Sequence, residues 1–174
     1  LEAQSNSCYR NDGNGMFMET SFANGLGPAS LPHVGFGIQV LDANLDNDGD
    51  DDLIITRWNS NPQLLRSTAA GSTAVLGLRL EGSSKQSNRD AIGARITVSA
   101  GGREWMREHR VQSSYLASHD PRLLFALPEG CTEGDVSVRW PDGKVETRRL
   151  QAGSYHHWIQ GQDSLVSTKF SHPR

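Results

Sequence analysis

Apolar and polar residues alternate strictly along several short stretches in the second half of the chain. Leu76, Leu78 and Leu80 alternate with Gly77 and Arg79, and Ala94, Ile96 and Val98 alternate with Arg95 and Thr97. Leu123, Phe125 and Leu127 form a third set, and Val136, Val138 and Trp140 a fourth, with Ser137 and Arg139 between them. A period of two places alternate side chains on opposite faces of a pleated strand, so each stretch predicts a half-buried β-strand. Gly101-Gly102 predicts a turn back through 103–111, Pro141-Asp142-Gly143 a tight turn into 144–149, and a last strand covers 154–160. Six or seven short strands, with turn signals about every ten residues, predict a β-sandwich. No amphipathic helix of useful length is visible, and the tail 163–174 is expected to fray.

The first part of the chain has a different rhythm. Asn11-Asp12-Gly13-Asn14-Gly15 predicts a turn between two short strands, since Gly and Asn accept positive φ at low cost. Val34-Gly35-Phe36-Gly37-Ile38-Gln39-Val40 reads as a strand, Leu53-Ile54-Ile55-Thr56 as a buried one, and Gln63-Leu64-Leu65-Arg66 as another short strand. The small-residue run Ser67-Thr68-Ala69-Ala70-Gly71-Ser72 marks the boundary. The expected division is 1–67, 68–162 and the tail 163–174.

Charge singles out one stretch. Asp42-Ala43-Asn44-Leu45-Asp46-Asn47-Asp48-Gly49-Asp50-Asp51-Asp52 holds six of the 20 acidic residues in a chain of net charge −3. Without them the 17 basic residues would dominate, so the acidity is local. Neighbouring carboxylates about 5 Å apart repel by roughly 0.8 kcal/mol per pair in water, and a hard dication turns that repulsion into binding. Asn44, Asp46 and Asp48 are two residues apart, Gly49 permits a tight curl, the Asp50 carbonyl can fill a further position, and Asp52 follows. The pattern predicts a Ca2+ site of Asn44, Asp46, Asp48, Asp50 and Asp52, with Asp42 flanking and Asp51 pointing outward. An EF-hand would close on a Glu at the twelfth position; here that position is Ile55, inside a strand. The loop is therefore expected between two strands.

Phe36-Gly37, the Asp-rich loop and Asp52-Leu53-Ile54-Ile55 together resemble an FG-GAP (VCBS-type) repeat, the blade unit of integrin-like β-propellers. Residues 8–17 resemble the strand-turn-strand that joins such repeats. Ser87-Asn88-Arg89-Asp90-Ala91-Ile92-Gly93-Ala94-Arg95-Ile96-Thr97-Val98, then Ser113–Ser118 and Val138–Gly143, resemble the ASPIC/UnbV domain over about 74–146. That order of parts is similar to the cartilage acidic protein 1 family, with its secreted matrix protein, bacterial homologues and UnbV-type proteins linked to enediyne biosynthesis. The resemblance implies an all-β chain, partial propeller blade followed by a β-sandwich-like domain, forming the C-terminal end of a larger protein.

Other candidates weigh less. Asn88, Arg89 and Asp90 suit a ligand loop, with Arg89 able to grip a carboxylate or phosphate by two prongs. They suit equally a turn closed by Asn88 and Asp90 on their own backbone, with Arg89 paired to a neighbour, and this structural reading is preferred. Ser118-His119-Asp120 is not expected to be a triad, because adjacent residues on an extended chain point apart. His156 and His157 should project to opposite faces and share no metal. Trp105, Tyr115, Trp140 and Trp158 offer an aromatic platform, although Trp140 and Tyr115 fit the sandwich core or its corner better. Cys8 and Cys131 read as two separate thiols.

Hydrophobic content of 36%, 18 glycines and seven prolines suit a turn-rich β protein. An isoelectric point near 6.1 gives no basic field for nucleic acid, and no run of 18 apolar residues predicts a membrane span. The first residue is Leu1, as in a mature or excised fragment. No credible catalytic set stands out. The expected function is a calcium-stabilised adhesion or scaffold module, extracellular or periplasmic, with a protein or glycan partner. An accessory protein or enzyme of secondary metabolism and a carbohydrate-binding module are the alternatives.

Overall fold

The computed structural model describes residues 5–31, 34–41, 51–66, 74–83, 85, 87–112 and 114–170. Among them are thirteen strands and one five-residue helix, so the chain is all-β, and no sheet closes into a barrel.

The first strands are short. Strands β1 (Tyr9–Asn11) and β2 (Phe17–Glu19) pair antiparallel, with all six residues exposed. The turn between them is built by side chains acting on their own backbone: Asn11 Oδ1 accepts the Gly13 N–H at 2.8 Å, and Asp12 Oδ1 accepts that of Asn14 at 2.8 Å. Gly13 and Gly15 take φ of 88° and 78°, as the sequence predicts for this turn. Helix α1 (Leu26–Ser30) follows. Strands β3 (Gly35–Leu41), β4 (Asp52–Arg57) and β5 (Gln63–Leu65) form an antiparallel sheet in that order, with Ile55 buried at its centre. Arg57 and Gln63 tie the sheet to α1, both donating to the Ala29 carbonyl, at 3.2 and 2.8 Å.

The larger unit is two four-stranded sheets packed on one core. One sheet runs in the order β11 (Val145–Gln151), β10 (Glu133–Arg139), β7 (Arg95–Ala100), β8 (Arg103–Glu108). The other runs β13 (Val166–Lys169), β12 (Ser154–Ile159), β6 (Val75–Glu81), β9 (Arg122–Ala126). The alternating sets meet between them: Leu76, Leu78, Leu80, Phe125 and Trp158 from one sheet face Ile96, Val98, Val136, Val138 and Leu150 from the other. Trp140 and Trp158 touch edge to face, their ring centroids 6.3 Å apart, as their quadrupoles favour. Glycine is required at position 77, where a Cβ would lie 2.3 Å from the Tyr155 ring. Trp140 occupies the core position its phase predicts, at 1% exposure.

Two expectations need correction. The segment 163–174 does not simply fray: β13 lies within it and pairs with β12, and Phe170 is buried against Tyr155 with ring centroids 4.8 Å apart. All four β13 residues are exposed, so the strand carries no alternating signal. Tyr115 is not in the core or at its corner but is exposed, beside Leu116 with φ of 50°. The expected linker, Ser67–Ser72, lies outside the described residues.

The two sheet systems meet at the loop after β8. The Ile38 N–H donates to Ser114 Oγ at 3.1 Å. A Cβ on Gly37 would come within 2.4 Å of the Tyr115 carbonyl oxygen, so the second residue of Phe36-Gly37 must be glycine for this approach.

Candidate functional site

The register of β3 and β4 positions the acidic stretch. Leu41 lies opposite Asp52 in the ladder, so the two residues that flank the acidic stretch sit side by side at one end of the sheet. Asn44, Asp46, Asp48 and Asp50 lie outside the described residues, as does the flanking Asp42. Asp51 is exposed, in keeping with its expected outward direction, and Asp52 is wholly buried at the first position of β4. A carboxylate without water contact is costly unless charge or hydrogen bonds compensate it.

In the loop leading into β7, Asn88 closes a turn on the neighbouring backbone. Its Oδ1 accepts the Ile92 N–H at 2.8 Å and its Nδ2 donates to the Ile92 carbonyl at 2.9 Å. The chain then crosses Ala91 at φ of 51° and Gly93 at 90°, which gives Gly93 the backbone role expected of it. Gly82 donates its N–H to the Arg89 carbonyl at 2.8 Å, and a Cβ there would lie 2.1 Å from the Asn88 oxygen. Arg89 departs from the expected pairing: its side chain is exposed and forms no ion pair among the described residues, and only its carbonyl serves the fold. Asn88→Ala is therefore expected to lower stability by about 1–2 kcal/mol, for two hydrogen bonds. Arg89→Ala should stay within about 0.5 kcal/mol, as exposed changes do. Paired chemical denaturations check both values.

Sequence reasoning gave no role to His109. It is 2% exposed, and its backbone ties the residue after β8 to the chain entering β7: its carbonyl accepts the Gly93 N–H at 2.9 Å and its N–H donates to the Ala94 carbonyl at 2.8 Å. Burial pushes its pKa below the usual histidine value, against the smaller opposing effect of Asp90. Ser87 Oγ, His109 Nδ1, Trp140 Nε1 and Gln160 Nε2 are all buried without a hydrogen-bond partner among the described residues. Buried groups of this kind are commonly met by ordered water.

The remaining candidates separate cleanly. In Ser118-His119-Asp120, Asp120 holds Arg122 through a 2.7 Å ion pair and also accepts the Arg122 backbone N–H at 2.8 Å, so its carboxylate is committed to that arginine. His156 uses both ring nitrogens, at 2.8 Å from Ser167 Oγ and 2.7 Å from the Gln151 carbonyl, while His157 meets Glu81 at 3.0 Å. Their different partners fit opposite projections. Trp140 and Trp158 are buried and belong to no surface platform, because their rings fill the space between the sheets. Cys8 and Cys131 are free thiols. Among the described residues, no helix is long and apolar enough to cross a membrane.

A two-layer β-sandwich joined to a small antiparallel sheet is the class of protein this fold defines. Residues 83–165 of the chain match the ASPIC and UnbV family, so the sandwich carries an ASPIC/UnbV domain. No curated protein matches the chain.

Proposed function

We propose that the protein is a calcium-binding module for adhesion or scaffolding, extracellular or periplasmic, and that residues 1–67 form part of an FG-GAP/VCBS-type propeller repeat preceding the ASPIC/UnbV domain. The observation that carries this reading is Asp52: a fully buried carboxylate at the exact end of the acidic stretch, where the strand register brings the ends of the loop together. A hard dication bound by Asn44, Asp46, Asp48, the Asp50 carbonyl and Asp52 would compensate that burial, and oxygen donors suit calcium. Gly37 adds support, since its contact with the 114–117 loop braces the blade-like sheet against the sandwich. Weak loops of this type suit the millimolar calcium outside the cytoplasm. The partner is a protein or a glycan.

Calcium should raise the melting temperature and release or absorb measurable heat on titration, with magnesium acting much more weakly because it demands a tighter octahedral shell. Asp48→Ala should remove most of the effect and Asp51→Ala should spare it. A calorimetric trace without calcium heat, together with a melt unchanged by chelator, would overturn the proposal.

A further inference from the structure

An open cleft of about 700 Å3 lies along β8 and β9, each the last strand of its sheet. Four arginines line it: Arg95 from β7, Arg107 from β8, Arg110 just beyond β8 and Arg122 from β9. Three carboxylates, Asp51, Glu108 and Asp120, share the lining, so the balance is positive. Met106 and Leu123 supply apolar surface.

The arginines fall into two pairs. Arg110 is bound to Glu108 at 2.7 Å, and Arg122 to Asp120 at 2.7 Å with its Nε 3.1 Å from both carboxylate oxygens. These two head groups are held in place and their charges are largely answered. Arg95 and Arg107 are different: among the described residues neither donates a side-chain hydrogen bond or enters an ion pair. Arg107 sits over the Phe125 ring, 5.4 Å from its centroid, which places the head group without giving it an acceptor. Arg95 lies opposite Glu108 in the ladder and feels its charge without bonding to it, so two guanidinium groups whose N–H donors are not taken up by an ion pair open onto one concave surface beside apolar side chains.

We propose that this cleft binds a compact organic anion carrying two or more carboxylate, phosphate or sulfate groups. Arg95 and Arg107 hold its oxyanions, and its carbon body lies against Met106 and Leu123. The guanidinium fork matches the two oxygens of such groups and stays charged at every physiological pH. Low-dielectric walls concentrate the field of the two cations in the cleft and draw anions to it. The volume lies within the range of small-molecule sites. The Glu108–Arg110 and Asp120–Arg122 pairs act as buttresses: each carboxylate is bonded to its own arginine, which leaves the N–H donors of Arg95 and Arg107 to the ligand.

The test is a calorimetric titration of the full chain in calcium-free, low-salt buffer with citrate, inorganic phosphate and sulfate as separate probes, and glycerol as the neutral control. At least one anion should bind, and added salt should weaken it, while glycerol should give no heat. The stronger of the carboxylate and phosphate probes identifies the oxyanion. Arg95→Gln combined with Arg107→Gln should weaken binding at least tenfold without moving the melting temperature. Arg103→Gln, on the same strand but outside this cleft, should bind as the parent does. Absence of binding by every anion would overturn the proposal, as would binding that survives the double substitution or that is lost equally in Arg103→Gln. Because calcium is absent throughout, the result stands independently of the metal loop.

Discussion

Trp158→Ala is expected to destabilise the protein by about 3–5 kcal/mol, the usual range for deleting a buried aromatic side chain. The indole is wholly buried on β12, within one sheet, yet it is tied to the other. Its ring meets Trp140 edge to face, its Nε1 donates to Glu146 Oε2 at 2.9 Å, and the Arg148 guanidinium lies 4.9 Å above it. Glu146 and Arg148 both belong to β11, so one side chain joins the two layers by packing, hydrogen bond and charge. Glu146 also accepts the Gly161 N–H at 2.9 Å, which fixes the turn after β12. Alanine would leave a cavity and an acceptor without its donor; phenylalanine would keep most of the packing and lose the hydrogen bond, for a smaller penalty. Urea denaturation of the three proteins gives the order parent, Phe, Ala. A midpoint for the alanine variant within experimental error of the parent would contradict the assigned role.

The second large effect is expected from ending the chain at Gln162. This removes β13 and Phe170, and with them the Ser167 hydroxyl that meets His156 and the aromatic contact that covers Tyr155. A loss of about 3–5 kcal/mol follows from deleting a buried phenylalanine and uncovering its neighbours. A second consequence is structural. Strand β12, now inside its sheet between β13 and β6, would become an edge with a free row of backbone donors and acceptors. The shortened chain should therefore both melt earlier and self-associate, which light scattering and size-exclusion chromatography would detect. A monomeric truncated chain with the parent's midpoint would show that β13 contributes nothing.

The strands that the sequence made legible are those with one wet and one dry face. Leu76, Leu78 and Leu80, Ala94, Ile96 and Val98, and Val136, Val138 and Trp140 alternate because one core lies on one side of each strand. β13 escaped notice because all its residues are exposed, and β8 nearly so, with Trp105 alone half-buried. β9 blurred the pattern in the opposite way. Phe125 faces the main core, while Leu124 joins a second cluster with Tyr155 and Phe170 on the other side of the sheet. At the candidate sites, the Asn88 turn was readable because its hydrogen bonds are local, closing over four residues. The arginine cleft was not, since its lining comes from three strands, the segment between β8 and β9, and Asp51 just ahead of β4, which sequence spacing does not bring together. Tyr115 was misplaced because no alternating run contains it: it was grouped with Trp140, whose phase is readable, yet it lies in an irregular segment with left-handed backbone at Leu116.

The parallel pairing of β6 with β12, which sets Leu76 beside Ser154, governs when the sandwich can assemble. Hairpins such as β7–β8 and β10–β11 close over a few residues and can form as soon as they are synthesised. The β6–β12 ladder joins the beginning of the unit to its end, and the entropy of closing so long a loop must be met before its hydrogen bonds contribute. On the ribosome, β6 therefore emerges early and waits for a neighbour that arrives almost last. Until then its apolar face and one backbone edge are open, the condition in which partly made β proteins are most exposed to aggregation.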